Sequence, residues 1–517
     1  MKQQHKPGFH LMKFPLFPTQ VEPHLQTFLE GHIKGRRRRR LTFRPKSRDP
    51  HRGGMPAKAR GGTNRGFLQG IFQKLADRHP VFRVPAATRT SFGISFPQGN
   101  RLRVFVTRSL GGGSSGLPQS IALVHEWFTP RSVGGSELVA RELDVLLTAA
   151  GGRPDLFALV DGESRSPRSW LAGRPVRTSF IQRLPWGVSH VQQYLPLVPL
   201  AIEQLDLSAY PLVLSSSHLA AKGVLTSPDQ LHVSYVHTPL RYAWDQMHPY
   251  LASSHLARGP LAPLVWLQLH ALRQWDVLSA QRPTALIANS RFTASRILRY
   301  WGRRARVVHP PVNVERFRWQ RPREDFYLSV CRLVPNKRVD LVVRACNETR
   351  LPLVVIGDGP ERSRLEAMAG PTIRFLGRLP DREVADWLER CRAYVNAGLE
   401  DFGIAPVEAM AAGAPVIAYG AGGFCDSVRP LDGQTAQPTG VLFPQQSVAG
   451  LVAALDHFSS RRLWLHLPAE GQRLWAETFS PDRFHQRMTH HLERIWQRHQ
   501  RRLLASRAPL PLAVPLT

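Results

Sequence analysis

Residues 399–418 read LEDFGIAPVEAMAAGAPVIA and hold two carboxylates, Glu400 and Glu408, eight positions apart, with Gly403 and Pro406 between them. Small residues from about Pro406 onward predict a helix over 406–412, and the apolar run from Pro415 to Ala418 predicts a short strand after it. Proline is tolerated in a helix's first turn, where free N–H groups attract an anion such as a phosphate. Glu408, just inside that helix, can accept hydrogen bonds from sugar hydroxyls while the amides hold the phosphate. Glu400, at the end of the preceding strand, can face a second set of hydroxyls. This layout suits a nucleotide sugar. The plainer alternative is a solvated loop acid and a second acid favoured by the helix dipole, and the rest of the chain has to decide between them.

Working outward, strands are predicted at 326–333, 351–358, 373–379, 393–399, 415–420 and 440–444. Helices are predicted over 337–349, 360–369, 381–391, 406–412 and 447–459. Upstream, SIALVHEWF opens a second βα series that continues through apolar runs at 155–160, 210–217, 231–237 and 284–290. Short, nearly continuous apolar strands alternating with helices predict parallel sheets buried on both faces. The fold class is therefore α/β, with two Rossmann-like doubly wound domains facing a cleft, and ligands belong outside the C-terminal strand ends. The predicted boundaries are a basic extension over 1–118, a first domain over 119–305, a second over 306–480, and a helix and tail over 481–517.

Three further groups lie at predicted strand ends. In CRLVPNKRVD, Arg332 ends a strand and Lys337 opens a helix five residues later, which offers two cations to a departing diphosphate. In SVGGSE, Gly134 and Gly135 precede a helix and permit close backbone approach to a ligand. His237 ends LHVSYVH ahead of Thr238 and Pro239. No D-x-D pair or His/Asp cluster with ligand spacing is present in the sequence, so no metal site is expected.

These residues, in this order, resemble the group 1, family 4 glycosyltransferases, which are retaining enzymes of the GT-B fold. Glu400 and Glu408 match the family's E-x7-E signature, and Arg332 and Lys337 its R-x4-K pair. The string VSYVHTPLRYAWD resembles the branch containing lipopolysaccharide mannosyltransferases, and Asp426 stands where the family usually has Glu. The resemblance covers about 120–490 and implies the following roles. Arg332 and Lys337 hold the donor diphosphate, Glu408 the ribose, and Glu400 the sugar hydroxyls, while His237 lies beside the anomeric centre. Gly134, Gly135, Phe402, Gly403 and Ile404 complete the donor site, and Arg241, Tyr242 and Trp244 lie close by. It further implies metal-independent hexose transfer to a glycan or lipid-linked acceptor in surface polysaccharide assembly. No cofactor is implied; the donor is a nucleotide diphosphate sugar, with GDP-mannose favoured. A helix near 481–500 is expected to cross back to the first domain.

Composition fits this reading. At 517 residues and 43% hydrophobic, the chain can bury two or three cores. The net charge of +31 suggests nucleic acid, but residues 1–118 hold 23 basic against 4 acidic residues, and the remainder 46 against 34. Most of the excess thus sits in a Gly-, Pro- and Arg-rich segment that reads as disordered. A nucleic-acid role through that segment is one alternative, and a nucleotide-sugar epimerase or glycan phosphorylase is another. Four scattered cysteines predict reduced thiols. No apolar run is long enough for a membrane span, and no secretory leader is expected. These features predict a cytoplasmic protein, with peripheral contact to anionic lipid on the inner face of the membrane.

Overall fold

The computed structural model describes residues 116–130, 134–252, 259–260 and 262–506. The extension expected over 1–118 therefore lies outside the described residues up to position 115. The first sheet comprises β1 (Ser120–His125), β3 (Arg153–Ala158), β5 (Val176–Thr178), β6 (Leu212–Ser217), β7 (Leu231–Val236), β8 (Ala285–Ala288) and β9 (Arg306–Val307). The order is β5-β3-β1-β6-β7-β8-β9, and every pairing is parallel. A separate two-stranded ribbon joins β2 (Trp127–Phe128) to β4 (Val160–Asp161).

The second sheet contains β10 (Tyr327–Val330), β11 (Leu353–Ile356), β12 (Ile373–Gly377), β13 (Ala393–Asn396), β14 (Val416–Tyr419) and β15 (Gly440–Phe443). Its order, β12-β11-β10-β13-β14-β15, is also wholly parallel. Both sheets reverse direction of growth beside their first strand, between β1 and β6 and between β10 and β13. Crevices open at such reversal points, past the C-terminal strand ends. All six residues of β6 and of β7 are buried, because helices cover both faces of the sheet.

The helix expected near 481–500 runs Pro481–Ser506. It places Phe484, Met488 and Leu492, spaced four apart, in the core beside Ile121, Leu123 and Val139 of the first half. Each buried side chain contributes roughly 1.5–3 kcal/mol, so Met488→Asp would detach this face. His485 Nε2 at 3.0 Å from Glu142 and His499 Nε2 at 2.9 Å from the Asp229 carbonyl fix its register.

Two sequence expectations need adjustment. The helix expected over 406–412 spans Ile404–Ala411, because Gly403 adopts φ +90° and starts it two residues earlier. A Cβ at Gly403 would meet Phe424 Cε1 at 2.6 Å, so glycine is required there on two counts. The edge strands Val176–Thr178 and Arg306–Val307 were not expected, since three and two residues are too few to show an apolar or alternating run.

Candidate active site

In the second half, the β10 and β13 loops deliver the acids and cations. Lys337 Nζ makes an ion pair with Glu400 Oε1. Burial pushes the Glu400 carboxyl up, yet Lys337 and Arg241 outweigh it and hold the group below its ordinary value. Arg332 is exposed at the start of the loop that leads from β10 to Lys337 and makes no ion pair among the described residues; partial burial lowers its value from the usual arginine range. Glu408 receives Arg316 Nη2 at 3.0 Å, and burial still raises its carboxyl above the ordinary value. Arg316, from the linker, is a partner that the sequence pattern did not single out.

Gly403 and Ile404 form the start of the helix. Phe402 is 3% exposed and its ring stacks on His309 at 5.4 Å, so the side chain belongs to the core and only the backbone can reach a ligand. An aromatic side chain in this loop gains more from packing against Phe479 and His309 than from solvent.

In the first half, Gly134 caps the Gly135–Ala149 helix. A Cβ on Gly135 would come within 2.7 Å of Ile404 Cδ1. The glycine loop of one half thus touches the Glu400–Glu408 loop of the other. His237 follows β7, is 9% exposed, and binds Ser216 Oγ through Nε2 at 2.8 Å. Burial, with His218 and His125 nearby, pushes it down to about 3 and keeps the ring neutral.

Around His237 lies a cluster absent from the sequence expectations. Glu126, fully buried after β1, accepts at one oxygen the Ser217 hydroxyl at 3.1 Å and the amides of His218, Leu219, Ala220 and Ala221 at 2.9–3.1 Å. Its other oxygen lies 3.1 Å from His218 Nδ1 in an ion-pair contact off the hydrogen-bond line. Burial opposes the charge, but His218, His125 and the amides hold Glu126 well below the carboxylate range. His218 is pushed up in turn: burial lowers it, and Glu126 more than compensates. The available signal was polar residues at apolar strand ends, VHE at 124–126 and SSSH at 215–218.

Further ion pairs cross between the halves. Asp401 takes Arg241 and, at 2.8 Å, Arg296; Asp426 takes Arg291 Nε at 2.5 Å and His309 Nε2 at 3.2 Å. Asp426 is thereby committed to joining the halves. Arg241 stands beside the Glu400 loop, whereas Trp244 points away, donating to Asp276 at 2.8 Å and stacking on Tyr300. Arg241, Arg332, Lys337, Glu400, Glu408, Gly135 and His237 thus occupy loops and the helices that follow them at the C-terminal ends of the two sheets, an arrangement that offers cations, hydroxyl-binding acids and amides to one ligand.

Residues 133–316 match the family model described as Glycosyltransferase Family 4, and 313–468 that of Glycosyl transferases group 1. A GDP-mannose-dependent alpha-mannosyltransferase of Mycobacterium tuberculosis is 36% identical over 153 residues, 29% of this chain and 39% of that one. A D-inositol 3-phosphate glycosyltransferase of Streptomyces bingchenggensis is 30% identical over 234 residues, 38% of this chain and 50% of that one. The matches to these relatives thus span half of their length or less. Sucrose-phosphate synthase of Thermosynechococcus elongatus superposes with a TM-score of 0.54 at 19% identity, over 74% of this chain and all of that one, which shows a shared GT-B fold. With both family halves present in order on that fold, the chain belongs to the group 1, family 4 glycosyltransferases.

Proposed function

We propose that this protein is a metal-independent, retaining glycosyltransferase that moves a hexose from a nucleotide diphosphate sugar to a glycan or lipid-linked acceptor. The observation that carries the reading is the pairing of Lys337 with Glu400, together with the contact of Gly135, from the first half, with Ile404 in the same 400–408 stretch. A cation for the diphosphate, from the β10 loop, thus meets an acid for sugar hydroxyls, from the β13 loop, and the first half touches the start of the helix that follows.

In the resting protein Lys337 and Glu400 neutralise each other. An arriving diphosphate competes for Lys337 and leaves Glu400 free to accept hydrogen bonds from the sugar. Arg332, which makes no ion pair among the described residues, needs no such exchange. The first-turn amides of the Ile404–Ala411 helix add partial positive charge. Glu408, held by Arg316, accepts the ribose hydroxyls. As the sugar departs, charge grows on the diphosphate, and fixed cations stabilise it without reorganising. His237 lies beside the reacting carbon, and the leaving phosphate takes the acceptor's proton. The GDP-mannose dependence of the Mycobacterium relative supports mannose and GDP as the donor. Surface polysaccharide assembly, with the protein resting on anionic lipid at the cytoplasmic face, is the setting this donor and acceptor favour. No described helix is long and apolar enough to cross a membrane.

The test is transfer from GDP-mannose, UDP-glucose and ADP-glucose to glycan acceptors in EDTA, with the product's anomeric configuration read by NMR. Retained configuration is expected, and Arg332→Ala or Lys337→Ala should slow turnover by about 10²–10³, the usual worth of a group that stabilises transition-state charge. An inverted product, or full activity in both variants, would refute the assignment.

A further inference from the structure

The chain fixes not only where His237 stands but which of its nitrogens carries the proton. His125 and Ser216 are register partners on β1 and β6, so their side chains share a face of the sheet. His125 Nδ1 lies 3.1 Å from the Ser216 carbonyl oxygen and 3.2 Å from Ser216 Oγ, with a Glu126 carboxylate oxygen at 3.8 Å. A carbonyl and a carboxylate can only accept, so Nδ1 of His125 carries a proton and donates it. Ser216 Oγ therefore cannot donate to that nitrogen.

Its own single proton must go elsewhere, and Ser216 is completely buried. The one other partner of that hydroxyl among the described residues is His237 Nε2, at 2.8 Å. If Nε2 also donated, the hydroxyl proton would be buried without an acceptor, which is costly. Ser216 accordingly donates to Nε2.

We infer that His125 and Ser216 are positioning residues that lock His237 in its Nδ1–H tautomer, so that it meets the substrate as a hydrogen-bond donor and not as a base. The backbone holds the ring in place as well, since Asn289 Nδ2 donates to the His237 carbonyl at 2.9 Å. The titratable groups around it are His125, His218, Glu126 and Glu137, and the ring stays neutral among them. The partner of Nδ1–H must be an oxygen with a free lone pair, a hydroxyl or ring oxygen of the sugar. This rests on the glycosyltransferase reading for the identity of that oxygen, but not for the tautomer.

Nitrogen NMR on the full chain labelled with [15N]histidine tests it, with the His237 signals found by difference from His237→Gln. In the wild type His237 should show a protonated Nδ1 and a bare Nε2. Ser216→Ala, and separately His125→Leu, should admit the Nε2–H form and lower turnover of the donor about tenfold, the worth of one hydrogen bond. An Nε2–H ring in the wild type overturns the inference, and so does a tautomer unchanged in Ser216→Ala. If the folded protein processes no nucleotide sugar, the functional reading fails, while the spectrum still decides the tautomer.

Discussion

Replacing Glu126 by alanine should unfold the first half of the molecule. One of its oxygens is the acceptor for four consecutive backbone amides, from His218 to Ala221, and for the Ser217 hydroxyl, all within 3.1 Å. Three of those four amides belong to fully or almost fully buried residues. Each buried donor left without an acceptor costs about 1–3 kcal/mol, so these three amides alone amount to roughly 3–9 kcal/mol. That is comparable to the whole stability of a domain, about 5–15 kcal/mol. Glu126→Gln keeps an oxygen in the same place and loses only the charge, so it should fold, with a lowered midpoint. It should also remove the carboxylate that pushes His218 up, and the His218 titration should move down. The assay is thermal unfolding followed by far-UV circular dichroism, with histidine NMR on the Gln variant. A Glu126→Ala protein that folds with a midpoint within a few degrees of wild type would refute the reasoning.

The remaining predictions concern packing, protons and the seam. Lys222 and Asp276, both almost completely buried, pair at 2.7 Å, and Asp276 also takes the indole N–H groups of Trp244 and Trp301 at 2.8 Å. Asp276→Asn strands the Lys222 charge and should cost about 3–5 kcal/mol in urea unfolding, whereas Lys222→Met with Asp276→Leu should cost less than the sum of the single changes. His232 and His237 are each pushed down to about 3 by burial, so they are neutral when folded and take protons when unfolded. Stability from these two should be complete above about pH 6.5 and fall as the pH drops towards 3, by about 1.4 kcal/mol per unit for each. His218, raised when folded, acts in the opposite sense, contributing below about pH 6.5 and fading as the pH rises through its folded value. Unfolding midpoints that do not fall between about pH 7 and pH 5 would contradict the assignment. Finally, Gly135→Ala drives a Cβ against Ile404 Cδ1 and should weaken nucleotide binding, and Ile404→Val, which removes that methyl, should restore it. Isothermal titration of the pair checks the rescue.

Much of the fold was legible because parallel strands buried on both faces leave unbroken apolar runs, as in LPLVVIGD and LHVSYVH. The acids and cations of the second half were legible because a strand end, a glycine and a proline bracket them in a short stretch. What escaped notice is long-range. Glu126 finds its amides more than 90 residues away, and Arg316 meets Glu408 at a comparable separation, so no local spacing announces either. The place of the Phe402 side chain was not legible for the opposite reason. Phe402 stands among site residues in the sequence, yet its ring packs between His309 and Phe479. The boundary of the Ile404–Ala411 helix moved because Gly403 can take a positive φ that starts the helix before the proline.

The most direct test of the central claim is thermal unfolding of the full chain with GDP, UDP and ADP in turn, in EDTA, beside Glu408→Ala. A nucleotide at about 100 times its dissociation constant adds roughly 2.7 kcal/mol of stability, a readily measured shift in midpoint. The account predicts a shift with one nucleotide, GDP, that persists without metal and disappears in Glu408→Ala. No shift with any nucleotide, or a shift that survives in Glu408→Ala, would contradict it.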